Sequence, residues 1–541
     1  MKLPSAKYAD RLGKTKQLKF GGLNHRPEAG DGEIWDMRNL TSDHTPVLAV
    51  RDRRWKVAKL TQPGGIYAWE KLAWVDGTGF YYGGEQKGQV SAGLKRFASL
   101  GTNIVILPDK CWYNTETDSF GQIEAAWEGD TLRFGNGTLY GEEAEANALT
   151  AEGADWVRLF RPGDAVTISG CETHPENNKT VIIRAIDGDT LYFYEYAFTL
   201  EGEEGYSEEG QLTVARRMPD LECLWENENR LWGYDGRTVY ASKLGDIFNW
   251  NVYDGLETDS WTITPGSAGD FTGCIAYKGY SVFAKEDRIY KVYGSTPSSF
   301  SMAGSASLGV AWGSGASMAV AGETLFYLGT GGIMAYGGGI PQPIGEELGD
   351  VRFSDAVGGS DGLKYYVSMA DEDGDWGLYV YDTRRRLWHK EDDTRVLGFA
   401  KVGGELYFLN DRGEIWCCGK PAEMPEGAQP EEDVKWMAEF ADFTEEDPNK
   451  KGLTKLQLRL ELDVGARLAV WLQTDSDGKW QHIRDIAWNQ GEGKRSFLLP
   501  ILPRRCDHYR IRIEGTGGCR IHSMAREFYA GSEAKSKPGR N

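Results

Sequence analysis

The feature that most constrains this chain is a two-residue alternation of apolar and polar side chains that recurs along most of its length, with almost no helical periodicity beside it. Leu456, Leu458, Leu460 and Leu462 alternate with Gln457, Arg459 and Glu461, the pattern of a strand with one buried and one wet face. The stretches beginning at Val166, Thr190, Gly377, Glu405 and Tyr509 are rich in β-branched, aromatic and aliphatic residues and read as strands too. Between such runs stand Asp187-Gly188, Asp235-Gly236, Asp361-Gly362 and Asp477-Gly478, pairs that favour the tight turns of hairpins. The fold class expected is all-β.

A long all-β chain must dispose of its sheet edges. A loose unit repeats: a strand, a glycine-containing turn, then a strand carrying aromatics. It is seen at 66–82, 102–113, 229–242, 279–292, 322–336, 362–368 and 404–416, a spacing of roughly 30–50 residues once one interruption is removed. About seven such units predict a β-propeller, with a many-stranded sandwich as the competing architecture. The interruption, 121–219, contains the compact β pattern Phe160–Cys171 and Asn177–Phe193 and is expected to be a small β-barrel inserted in a loop between blades. The organisation expected is therefore an N-terminal arm and first blades over 1–120, the inserted domain over 121–219 and the remaining blades over 220–421. An acidic linker over 422–433, a C-terminal β-sandwich over 434–530 and a disordered tail over 531–541 follow.

Composition narrows the function. With 61 Lys+Arg against 81 Asp+Glu the net charge is −20, a poor surface for holding nucleic acid, whose affinity comes from cations that displace phosphate counterions. No apolar run is long enough for a helical membrane span, and Met1-Lys-Leu-Pro-Ser leads into polar sequence, so a soluble chain made without export is expected. Eight cysteines form no CxxC pair and read as buried, reduced thiols. The seven histidines form no HxH or HExxH pair; His508 and His522 are the two that could meet in the C-terminal domain. There is no Gly-x-Ser-x-Gly elbow, phosphate loop or dinucleotide fingerprint. The carboxylate clusters at 371–375 and 475–477 fall where hairpin turns are expected and carry no closing glutamate of a calcium loop. No catalytic, cofactor-binding or metal-binding residue is assigned, no cofactor is expected, and the chain is expected not to be an enzyme.

Three stretches resemble tail and neck structural proteins of tailed phages. They are 20–25 with 32–54; Glu228-Asn-Arg-Leu-Trp-Gly-Tyr-Asp-Gly-Arg-Thr-Val-Tyr-Ala-Ser-Lys-Leu-Gly-Asp-Ile-Phe-Asn-Trp-Asn; and 503–528. The middle one is similar to the "Arg-Leu-Trp-Gly … Tyr-Ala-Ser … Gly-Asp … Asn-Trp" segment of tail nozzle and tail-stabilisation proteins, and Tyr379–Trp388 resembles the end of a kelch-type blade. The resemblance implies a virion subunit made in the host bacterial cytoplasm, in a homo-oligomeric ring, often of six, around the DNA channel. It implies contacts with a head–tail connector or adaptor and other tail proteins, and passage of DNA without sequence-specific binding. An acidic channel lining would keep DNA from sticking. The alternative is a receptor or carbohydrate-binding tail protein, with hydrolase activity as an extension, in which Trp250, Trp261, Trp376 and Trp388 stack on sugars.

Overall fold

The structure is a computed structural model that describes residues 11–138, 145–194, 197–202, 205–446, 449–491 and 493–530. The expected disordered tail at 531–541 and the opening Met1-Lys-Leu-Pro-Ser lie outside the described residues. Among the described residues the regular structure is almost all antiparallel strand, the α-helical exception being the single turn Trp156–Leu159. The chain forms two compact units, 61–315 and the combination of 1–60 with 316–541.

The 61–315 unit contains four four-stranded sheets, spanning 63–89, 96–122, 223–263 and 273–306. Each is a meander in which strands follow chain order, because tight turns leave a strand no partner nearer than the next. Asp235-Gly236 makes one such turn, with Gly236 at φ 51°, where a side chain would be strained. Between the second and third sheets, residues 125–216 form a closed six-stranded barrel. Its long strands Ala125–Thr138 and Tyr206–Arg216 pair from Ala125↔Arg216 to Phe134↔Tyr206. Closure removes the free edges, and Leu132, Phe134, Trp156, Ile168, Leu191, Phe193 and Val214 fill the interior.

The other unit contains four-stranded sheets over 319–343 and 354–392 and a five-stranded sheet. In the last, Val396–Val402, Glu405–Asn410 and Glu414–Cys417 are extended by Trp55–Lys59, which in turn pairs with Gln429–Pro430. Strand Lys364–Ala370 is buried at all seven positions, so both of its faces are covered, unlike a strand with one wet face. Gly359 shows how close the neighbouring sheet comes: a Cβ there would lie 2.4 Å from the ring of Phe399.

Two larger sheets complete this unit and share one core. One runs Leu40–Thr41, Leu48–Val50, Cys519–Ala530, Lys451–Leu462 and Lys494–Pro500, with Arg11–Gln17 also on Cys519–Ala530; the other runs Ile34–Arg38, Lys435–Phe440, Tyr509–Thr516, Arg467–Thr474 and Gln481–Ala487. Leu456, Leu458, Leu460 and Leu462 point into that core while Gln457 and Arg459 face water; each leucine contributes about 1.5–3 kcal/mol.

Three expectations need correcting here. Residues 11–50 do not join the first repeats: their strands pair with C-terminal ones, Gly13 opposite Phe528 and Met37 opposite Ala438. Residues 422–433 are not a free linker, because Gln429–Pro430 adds to a sheet and Glu431 is held by Arg51. Not all cysteines are reduced core filler, since Cys223 and Cys274 form a disulfide. Each depends on a partner hundreds of residues away or in another sheet, which local pattern does not encode.

Candidate functional site

A cleft of about 900 Å³ opens in the unit that holds the C-terminal sheets. Its walls come from the hairpin turn after Lys364–Ala370, the connection 392–395, the turn at 410–412 and the segment 431–435.

Two residues of its lining, Asp392 and Glu431, belong to a buried ion network. The strand Leu387–Asp392 carries a bulge: Leu378 lies opposite Asp392 while Tyr379 lies opposite Lys390, leaving Glu391 as the extra residue. The bulge lets two successive acids reach one guanidinium, Arg54, whose Nη2 donates to Glu391 at 2.5 Å and whose Nη1 donates to Asp392 at 2.6 Å. Arg51 donates to both oxygens of Glu431, at 2.7 and 2.8 Å. Burial pushes the Asp392 carboxyl up, but Arg54, Thr394 and Arg51 outweigh it and hold it down at about 2. Burial works against ionised Glu431 too, and the Arg51 hydrogen bonds overcome it. Arg54 stays charged because Asp392, Glu391 and Glu431 more than offset its desolvation. These pairs fasten the segment that carries Arg51 and Arg54 to Leu387–Asp392 and to Glu431.

The rim is different in kind. Half-buried Trp376 and Tyr379 both line it. The Arg395 guanidinium lies 4.6 Å from the Trp376 ring centroid, an arrangement that fixes the indole plane. Arg395, Arg412 and Lys435 are exposed cations on the lining, and Asp375, Asp411 and Glu432 are exposed acids there. Asp393 is drawn to Arg38 and, at 2.9 Å, to Lys390. A planar aromatic flanked by fixed donors and acceptors can hold a ligand with one apolar face and many hydroxyls. A second cavity, about 520 Å³, shares Arg38 and Lys435 with this one and is lined by Trp436, Leu468 and Ile486.

Of the four tryptophans expected to meet sugars, Trp376 alone is on this lining. Trp250 and Trp388 are each 1% exposed and belong to the core, and half-buried Trp261 packs edge-on against Trp232 and Phe300 in the other unit. The acid cluster 371–375 forms a turn, with the Asp371 carboxylate accepting the Asp373 and Asp375 amides at 3.0 and 2.9 Å. The 475–477 cluster also sits in a turn. His508 and His522 do not meet: His508 pairs with Ser476 and His522 with Glu461. Among the described residues no group of three or more His, Cys, Asp or Glu is placed to hold a metal ion. Arg395, Arg412 and Lys435 carried no sequence signal beyond lying in or beside turns.

The residues of the 228–251 motif serve the frame. Buried Arg230 donates to the carbonyls of Ser242 and Glu257, both at 2.8 Å, and to that of Asp259, tying down the loop that follows. Asn249 accepts the Ala165 amide at 2.9 Å and donates to Asp164 at 3.1 Å, while Phe248 lies between the guanidiniums of Arg161 and Arg216, at 4.3 and 4.9 Å. This clamp seats the barrel on the 223–263 sheet.

No protein-family model and no curated protein matches the chain. Among solved structures, Hsv2 from Kluyvelomyces marxianus aligns at 14% identity over 36% of this chain and 62% of that one, with a TM-score of 0.25. The exo-beta-1,3-galactanase of Phanerochaete chrysosporium aligns at 9% identity over 56% and 94%, TM-score 0.22. A glycoside hydrolase family 43 arabinoxylan arabinofuranohydrolase from Bacillus subtilis aligns at 8% over 88% and 96%, TM-score 0.17. Glycoside hydrolases recur among these structures, and the expectation that the chain is not an enzyme is withdrawn. Acids drawn from separate loops leave no motif, so the lack of one in the sequence does not exclude catalysis.

Proposed function

We propose that the seven small sheets are the blades of a β-propeller, that the two larger sheets form a C-terminal sandwich, and that the protein is a saccharide-binding component of a phage tail. The propeller reading is supported by the repeated four-stranded meander and by Trp55–Lys59, a strand drawn from just before the first small sheet that extends the last one. The phage setting rests on the resemblance of the three stretches described above.

The saccharide reading is carried by one observation, the half-buried indole of Trp376 on the wall of a polar cleft of about 900 Å³. The ring offers a face for sugar C–H groups, while Asp375 and Glu432 accept from hydroxyls and Arg412 and Lys435 donate to them. A glycan array probed with the full chain tests it. Binding to a defined glycan class, weakened at least tenfold in Trp376→Ala with the fold intact by circular dichroism, supports the proposal; no binding, or binding unaffected by the substitution, defeats it. Assaying the bound glycans for new reducing ends separates binding from cleavage.

A second reading, a nozzle-like ring subunit around the DNA channel that contacts a connector or adaptor, is favoured by the motif itself. Arg230, Asn249 and Trp250 are spent on holding the frame together, as a ring component would need. Negative-stain images of the purified protein without rings would count against it.

A further inference from the structure

The disulfide described above joins two sheets. Cys223 opens Cys223–Asn227 and Cys274 lies in Gly273–Tyr277, each the first strand of its four-stranded sheet. Their Cα atoms are 6.3 Å apart, and 51 residues separate them in sequence, a spacing a disulfide spans without moving the backbone. Trp232, Tyr234, Phe271, Phe283 and Tyr290 pack around the pair. The chain reaches Cys223 shortly after Arg216, the last residue of the barrel's closing strand, so the bond fixes the barrel's return segment to the sheet beyond its own.

The two sulfurs are unequal. Cys274 is 5% exposed and Cys223 is half-buried, which makes Cys223 the sulfur a reagent reaches first. The other cysteines are poor competitors. Cys111, Cys171, Cys417, Cys506 and Cys519 are buried, and burial pushes the thiols of Cys111, Cys171 and Cys506 up to about 11, leaving little thiolate to react. Half-buried Cys418 is likewise pushed up by burial.

We infer that Cys223 and Cys274 form a reversible redox staple that locks the foot of the barrel when a small disulfide is present and releases it when a dithiol is. The Cys223 thiolate attacks one sulfur of oxidised glutathione, forming a mixed disulfide and expelling one glutathione thiolate. The Cys274 thiolate then attacks the Cys223 sulfur and expels the second. The protein dithiol loses two electrons, the reagent gains them, and the two thiol protons leave on the two glutathiones. Dithiothreitol runs the sequence backwards. This inference is independent of the saccharide reading.

The full chain, reduced with dithiothreitol and then moved into oxidised glutathione, tests it. Free thiols are blocked with iodoacetamide, peptides are mapped without reduction, and amide exchange is followed by mass spectrometry. Expected are a Cys223–Cys274 linked peptide, an intact mass, taken before blocking, lower by two hydrogens, and at least tenfold slower exchange at 217–227 and 273–277 than in the reduced chain. Cys274→Ser should abolish that slowing. Stable glutathione on Cys223 without the link, a link that leaves exchange unchanged, or a link that dithiothreitol cannot open would each overturn the inference. The wild-type comparison alone suffices should the variant misfold.

Discussion

His389 is buried, and its titration should set how the surrounding sheet responds to mild acid. It is 3% exposed in Leu387–Asp392. Burial, then the nearby Lys364 ammonium, push its imidazole down to about 4 from 6.5, against the opposing pull of Asp382 and Asp43. Well above pH 6.5 neither the closed nor the opened form carries the proton. Between 6.5 and 4 the opened form takes it and the closed form does not, so stability falls as the pH falls, with the full loss reached below about 4. At pH 5 the loss is about 2 kcal/mol, a factor of about 30 in the opening equilibrium. Asp382 is held at about 2 and Asp43 is lowered as well, so neither carboxylate interferes between pH 5 and 7. Amide exchange at Lys364–Ala370 and Leu387–Asp392, divided by the intrinsic rate at each pH, reads that equilibrium directly. In the wild type the corrected opening constant should rise about 20-fold from pH 7 to pH 5, the opened form being already partly protonated at pH 7. In His389→Gln, which has nothing to protonate, it should stay flat. An equal rise in the variant, or none in the wild type, refutes the reasoning.

Other perturbations test the frame and the clamp. Arg54→Met should destabilise its unit by about 3–5 kcal/mol, because Glu391 and Asp392 are left buried without their main cation; urea unfolding measures it, and a loss below 1 kcal/mol would mean water replaces the guanidinium. Asn249→Ala removes the acceptor of the Ala165 amide and a donor to Asp164, at a cost of about 1–3 kcal/mol. Limited proteolysis should then cut at 217–222 faster than in the wild type. Leu458→Ala, at a fully buried core position, should cost about 2–5 kcal/mol in urea unfolding, whereas Gln457→Ala on the wet face should change little.

Much of the candidate site was hidden in the sequence for a physical reason. Asp371–Asp375 and Trp376 stood out as a turn followed by an aromatic, and the structure puts both on the cleft. Arg51, Arg54, Glu391 and Glu431 did not stand out, since a charge in sequence looks the same whether it is solvated or paired across 337 to 380 residues. The tryptophans misled in the opposite direction, because Trp388 and Trp250 have the composition of a sugar platform but their indole N–H groups are satisfied by the carbonyls of Ile344 and Ile247 inside the core.

Local chemistry alone determined that this chain is built of strands and where many of its turns fall. Alternation such as Leu456–Leu462 and pairs such as Asp235-Gly236 act over a few residues, where steric and hydrophobic preferences are already decisive. Only the tertiary structure decided that residues 11–50 pair with the C-terminal strands, that Trp55–Lys59 extends the last small sheet, that Cys223 meets Cys274, and which of many charges are buried. Those outcomes turn on edges and faces becoming complementary only once the intervening sheets have formed, and no short window of sequence contains both partners.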